Sequence, residues 1–287
     1  MLTSTQQFYR DIVQNKKELL KEVIPLSYRD YCKGLCFTQT SEILIMICNP
    51  FGEVMIKKIK RNFCGSSNVG IVLQRHHEFY GNLLAEGISN FYNIIPFDKE
   101  NIILHSEDNK FLLYNTETLQ CKTLELDYPF PLTVNSLCNV VGGFLLIGSK
   151  ITTSVIIYYD NLLHIKSFYE IDGDVLYARL SSTYNELYVI RYFNGLELGI
   201  VNNSGRFDLI KELDYDNIYG FVIDEEDNLI IETSGSIVFL SSAGIEFLRL
   251  NDGSYFNANI DSESGNFAIA HRNYDHTEII LINREKN

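Results

Sequence analysis

The chain has 287 residues, 46% of them hydrophobic and 21% charged, with 24 Lys+Arg against 37 Asp+Glu and a net charge of −13. Those fractions exclude global disorder, and the length allows one large domain or two ordinary ones. The acidic balance argues against nucleic acid as the main ligand, because phosphate binding needs cationic surface.

Residues 1–25, MLTSTQQFYRDIVQNKKELLKEVIP, carry charges throughout and lack the apolar core of a secretory signal. No stretch approaches the ~20 continuous apolar residues of a membrane span. The expectation is a cytoplasmic protein with no membrane partner. Within this segment residues 4–22 read as an amphipathic helix. Ser4 and Gln7 form a capping-box pair, Phe8, Ile12, Leu19 and Val23 fall on one helical face, and Pro25 ends the run. Lys16, Lys17 and Lys21 lie off that stripe.

Six cysteines, Cys32, Cys36, Cys48, Cys64, Cys121 and Cys138, are too sparse for a disulfide scaffold in a chain this long. Most have apolar neighbours, as in LIMIC and SLCNVV, where a free thiol behaves as a small core residue. Charge is unevenly spread: residues 1–75 carry a net +5 and residues 76–287 a net −18. That split fits a basic segment attached to an acidic body.

Beyond the helix the period changes. Eighteen Tyr, eighteen Phe and only five Pro point to packed strands. From residue 91 onward a four-strand unit repeats, first as FYNIIPF, NIILHS, KFLLYN and LQCKTLEL, broken by DKE, EDN and TET. First strands begin near residues 91, 133, 175, 218 and 255, and Gly, Asn and Asp bound the apolar runs as turn signals. A period near 40 residues with four strands per unit is the signature of propeller blades. The last unit, YFNANI, NFAIAH and TEIILIN, is one strand short. A ring cures this by taking a strand from the other end of the chain, and KEVIPLS (21–27) or KGLCFT (33–38) could supply it. GLCFT, EILIMIC and EVMIKKI, within residues 34–59, supply most of a further blade, leaving 62–90 as an insertion.

Over about residues 34–283 the unit, its period and the incomplete last blade resemble β-propeller proteins. The resemblance implies an all-β fold: a single propeller of four-stranded blades with an N-terminal α-helix. Six blades are preferred, and seven follow if GIVLQRHHEFYGNLL hides a degenerate hairpin. Residues 1–27 would then hold the helix and a ring-closing strand, and residues 28–287 the propeller. The blades lack the Gly-His and Trp-Asp signatures of WD40 repeats, and with no Trp they lack that of quinoprotein repeats; they come nearer to lactonase-like and NHL-like blades.

Chemical motifs are scarce. Cys32 and Cys36 have no second pair at zinc-like spacing. His76 and His77 would point to opposite faces of a strand. His271 and His276 lack a recognisable third ligand. GSSNVG (65–70) has Ile71 and Val72 where a phosphate loop needs Lys and Ser/Thr. DEEDN (224–228) lacks the Gly of a calcium loop and reads as a solvated turn. KKIKR (57–61) reads as a basic sheet edge. No catalytic residue and no metal ligand emerges.

The binding residues expected instead lie on loops between blades and between middle strands, at one mouth of the channel: Asp127, Tyr128, Asp172, Asp174, Asp214, Tyr215, Asp216, Asp252, Tyr274 and Asp275. Acids with tyrosines suit a cationic partner, since tyrosine offers rigid contact area and carboxylates steer association. The first expectation is a non-catalytic module docking a basic protein, as an immunity protein would neutralise a basic toxin, with no cofactor. The other is a lactonase-like hydrolase or small-ligand propeller with calcium held by channel carboxylates, for which Asp172, Asp214, Asn257 and Asn259 offer oxygen. A third places the work in the helix, with the propeller as its platform.

Overall fold

The computed structural model describes residues 3–13, 21–26, 31–38, 42–48, 54–60, 72–75 and 91–282, apart from 107–108, 119, 141, 152, 182–185, 203, 252–253, 261–266 and 274–275. Helix α1 spans Ser4–Val13, shorter than the 4–22 expected. Residues 14–20 lie outside the described part, and Lys21–Pro25 form strand β1. Val23 fits a helical stripe and a strand alternation equally well, and a partner strand decides between them.

The next four strands are β2 (Tyr31–Phe37), β3 (Ile43–Cys48), β4 (Val54–Lys60) and β5 (Val72–Arg75), paired in that order. Strand β5 comes from within residues 62–90, the segment read as an insertion, and the rest of that segment lies outside the described residues. Lys57–Lys60 belong to β4, which pairs on both sides and is not a sheet edge as expected. The second sheet runs β6 (Phe91–Pro96), β7 (Asn101–Ser106), β8 (Phe111–Asn115) and β9 (Cys121–Leu124). The third runs β10 (Thr133–Val140), β11 (Gly143–Ser149), β12 (Thr153–Asp160) and β13 (Ile165–Asp172). The fourth runs β14 (Asp174–Leu180), β15 (Leu187–Tyr192), β16 (Leu196–Val201) and β17 (Phe207–Leu213). The fifth runs β18 (Ile218–Ile223), β19 (Leu229–Thr233), β20 (Ser236–Leu240) and β21 (Glu246–Leu250).

The sixth sheet contains β22 (Ser254–Ile260), β23 (Phe267–Asn273) and β24 (His276–Ile282), and β1 completes it. Strand β1 lies antiparallel to β24, with Val23 opposite Ile280. Of the two closing segments considered, residues 21–25 are therefore used, whereas 31–37 form an inner strand of the first sheet.

Neighbouring sheets pack face to face around the ring, and each seam has its own apolar cluster. The ILIMIC run shows why the strands lack an apolar–polar alternation. Ile43, Ile45 and Ile47 enter the seam with the sixth sheet, while Leu44 and Met46 enter the seam with the second. Both faces of a blade are buried, so every position is apolar; each such side chain contributes roughly 1.5–3 kcal/mol on burial. Inner strands touch in the cyclic order β2, β6, β10, β14, β18, β22 and back to β2. This is the arrangement of a β-propeller built from four-stranded blades.

One irregularity recurs in all six inner strands. Register slips by one residue between Cys32 and Gly34, Phe91 and Asn93, Val134 and Ser136, Val175 and Tyr177, Ile218 and Gly220, and Phe256 and Ala258. The skipped residues, Lys33, Tyr92, Asn135, Leu176, Tyr219 and Asn257, occupy one bulge position of the repeat. A bulge bends its strand and redirects the side chains around it.

Candidate functional site

The loops that carry the chain from one sheet to the next share a face with the turns between second and third strands. Arg191 Nη1 donates to the carbonyl of Asp172 at 2.9 Å, and Gly173 forms a bridge with Thr153, so the loops and turns of the third and fourth sheets abut. Gly173 has a φ of 88°, and a Cβ there would meet the carbonyl of Tyr192 and the Phe193 ring. A glycine is required at the centre of Asp172–Gly173–Asp174.

Of the ten expected binding residues, Asp127, Asp172, Asp174, Asp214 and Asp216 lie exposed on this face, with Tyr128 and Tyr215 half-buried beside them. Asp252, Tyr274 and Asp275 lie outside the described residues. The tyrosines are partly structural. Tyr128 packs against the cluster between the second and third sheets, and Tyr215 against that between the fourth and fifth. The Arg249 guanidinium stands 5.5 Å from the Tyr215 ring while its Nε and Nη2 grip Glu246 at 2.9 and 2.7 Å.

Carboxylates on the two faces are used differently. On the opposite face, at the hairpins that leave the inner strands, Asp98 Oδ1 accepts from the amides of Glu100 and Asn101, both at 2.8 Å. Asp160 accepts from the amides of Leu162 and His164 and pairs with Lys166. Asp208 pairs with Arg206 at 3.0 Å. DEEDN, expected to be solvated, is the strongest case: Asp224 and Asp227 are buried, and Asp224 accepts from the amides of Glu226 and Asn228, the Asn228 side chain and Tyr9. Among the described residues, the loop-face side chains of Asp127, Asp172, Asp174, Asp214 and Asp216 make no hydrogen bond or ion pair, and the nearby cations are already matched. Lys150 pairs with Glu170, and Arg191 pairs with Glu197 at 2.8 Å.

The loop face also carries apolar groups that the sequence reading missed. Ile151 is fully exposed, Tyr192 is 57% exposed and Phe193 is 48% exposed. They flank Asp172–Asp174. RYF reads as the end of a strand, and only the hairpin boundary at Tyr192 reveals that Phe193 stands in a turn.

The ring encloses a cavity of about 970 Å³, lined by the inner strands and extending to Thr38, Phe97, Asn161, Ser181, Asp224 and Glu225. It therefore runs toward the hairpin face, away from the expected binding residues, none of which lines it. The bulge residues Asn135, Leu176 and Tyr219 face it, with Asn93, Asn139, Arg179 and Asn259. Burial pushes the Cys138 thiol up, partly offset by the adjacent Arg179 guanidinium. Burial likewise raises the Cys32 thiol to about 12 and Cys36 further, as fits core cysteines; Cys32, Cys36, Cys48, Cys121 and Cys138 are free thiols. His105 is buried, stacked on Phe111 with ring centroids 4.8 Å apart, and its Nδ1 lies 3.4 Å from Asn93 Nδ2. Burial lowers its pKa to about 4. Among the described residues no group of three or more His, Cys, Asp or Glu is placed to hold a metal ion, and no helix is long and apolar enough to cross a membrane. His76, His77 and residues 65–70 lie outside the described part, and the side chains of His271 and His276 are not described.

Helix α1 docks on the hairpin face. Tyr9 is buried among Phe239 and Phe267, and Gln6 Nε2 donates to Asn228 Oδ1 at 2.9 Å.

No protein-family model matches the chain, and no curated protein matches it in sequence. Solved structures do. A gluconolactonase from Xanthomonas campestris, XC5397, superposes with a TM-score of 0.61 at 9% identity, covering 91% of this chain and 90% of that one. The AfRom2 CNH domain gives 0.55 at 10% identity, covering 93% and 100%. The β-propeller domain of Cps50 (Swd1) from Myceliophteria thermophila gives 0.51 at 10% identity, covering 87% and 83%. At such identities the likeness carries the architecture and nothing chemical. The chain has the β-propeller fold.

Proposed function

We propose that this is a non-catalytic, six-bladed interaction propeller whose loop face docks a basic segment of a partner protein. Six four-stranded sheets with cyclic inner-strand contacts support the blade number. The observation that carries the function is the contrast between the faces. Among the described residues, aspartates of the hairpin face are spent inside the protein, whereas Asp127, Asp172, Asp174, Asp214 and Asp216 remain unpaired around exposed Ile151, Tyr192 and Phe193. Aromatic anchors ringed by unpaired carboxylates match cationic, partly apolar segments, the anchors giving affinity and the charges rate and selectivity. Neutralising a basic toxin, as an immunity protein does, is one role such a face serves.

The test is fluorescence anisotropy with a labelled peptide of alternating Arg and Leu and its Glu–Leu counterpart, against the wild type, D172N/D174N and Phe193→Ser. Salt-sensitive binding of the basic peptide alone, weakened about tenfold or more in both variants, supports the reading. Equal binding of both peptides, or variants that bind as the wild type does, rejects it.

A further inference from the structure

The cavity points to a second kind of ligand at the other end of the ring. Arg179 lies on β14 and lines the cavity half-buried. Its Nη1 donates to the neighbouring Ala178 carbonyl at 2.9 Å, and its guanidinium lies near Cys138 and Tyr177. No carboxylate stands within ion-pair distance of it among the described residues, although Arg191, Arg206 and Arg249 each have one. A half-buried guanidinium on a channel wall with no carboxylate in contact is open to an external anion, while the buried Glu232 carboxylate, which acts on Tyr177 from the other side, limits the negative charge the channel accepts.

The surrounding polar groups divide into spent and unspent. The Tyr177 hydroxyl donates to the Ile218 carbonyl at 3.2 Å, and the Ser181 hydroxyl to Asp227 at 2.6 Å. Asp224 already accepts four hydrogen bonds. The side-chain amides of exposed Asn139 and Asn161 and of half-buried Asn259 line the cavity and make no hydrogen bond among the described residues. Asn139 follows Cys138, which Arg179 approaches, and Asn161 stands in the β12–β13 turn of the sheet that carries Asn139. A guanidinium fork matches a carboxylate in two parallel hydrogen bonds, and each amide both donates and accepts.

We propose that the channel binds a small monocarboxylate carrying further hydrogen-bonding groups, its carboxylate held by Arg179 and its body by Asn139 and Asn161. A single cation offsets a single negative charge. Exposed Glu225, which also lines the cavity, disfavours a dianion such as a phosphate monoester. This site is independent of the protein-docking face and stands or falls separately.

The experiment is isothermal titration calorimetry on the full chain with lactate, quinate and N-acetylglutamine, the neutral amide of N-acetylglutamine, and glycerol 2-phosphate. Saturable binding of at least one monocarboxylate is expected, with none for the neutral amide and weaker binding for the phosphate. Arg179→Met should weaken it by about tenfold or more, and Asn139→Leu, which leaves the guanidinium in place, by several-fold. Arg206→Gln, on the surface, should bind as the wild type does. Thermal unfolding of each variant shows whether it is folded, and Asn139→Leu carries the test if Arg179→Met is not. No binding by any monocarboxylate, tighter binding of the phosphate, or folded variants with unchanged affinity would overturn the assignment.

Discussion

The hydroxyl of Tyr9 donates to Oδ2 of Asp224 at 3.2 Å, tying α1 to the β18–β19 hairpin. Asp224 is buried, and burial raises its pKa against the hydrogen bonds from Asn228, Glu226 and Tyr9 that lower it. A carboxyl whose pKa is higher folded than unfolded binds its proton more tightly in the folded chain. Its contribution to stability is therefore full below the ordinary aspartate range and is lost as pH rises through the raised value. Asp224→Asn should remove that component, so urea midpoints measured from pH 3.5 to 6.5 should fall less steeply with rising pH in the variant. Tyr9→Phe, which leaves the ring in its pocket, should cost about 1 kcal/mol at neutral pH.

His105 works in the opposite direction. Its pKa is lowered from 6.5 to about 4 by burial, so the folded chain prefers the neutral ring. The associated stability is present above pH 6.5 and is lost as pH falls toward 4, a change of about 3 kcal/mol. His105→Gln keeps a hydrogen-bonding side chain between Asn93 and Asn109 without a titratable ring. Denaturant unfolding at pH 7 and pH 4.5 should show a smaller difference for the variant than for the wild type.

Two glycines give a packing contrast. A Cβ on Gly143 would collide with the backbone of Tyr159 and Asp160, whereas one on Gly195 would meet nothing within 4 Å. Gly143→Ala should cost about 1–3 kcal/mol, and Gly195→Ala should stay within about 0.5 kcal/mol of the wild type. Paired equilibrium unfolding curves decide both.

Removing residues 1–25 deletes both the docked helix and β1. It should lower stability by about 3 kcal/mol or more, because the pocket formed by Phe239 and Phe267 loses Tyr9 and β24 acquires an open edge. Size-exclusion chromatography should show self-association of the truncated chain. Unchanged stability and a monomeric elution profile would mean that α1 and β1 contribute nothing to the ring.

The repeat was legible because turn residues and two-sided apolar runs alternate without interruption from residue 91 onward. Sheets two to five fall where the sequence places them. The misassigned strands have one cause, which is that a weakly patterned segment becomes a strand only when a partner strand is waiting. KEVIP continues a helical stripe until β24 claims it, and Val72–Arg75 look like loop until β4 does. The loop-face aspartates were legible as turn chemistry, but their unpaired state was not, since that depends on where Lys150 and Arg191 find their acids. The cavity was the least visible feature. Its polar wall includes bulge residues such as Asn135 and Tyr219, which a one-residue slip of register turns toward the cavity and which no turn residue or apolar run marks in the sequence.

The pairing of Lys21–Pro25 with residues 278–282 has a consequence in time as well as in space. On a ribosome, β1 is made among the first strands and finds its partner among the last. Until β24 emerges, a nascent chain can stack its early sheets through their local hairpins but cannot seal the circle. The slow step of folding should be this one long-range annealing event, and agents that occupy β1 in the interval would act as folding inhibitors without touching the finished protein.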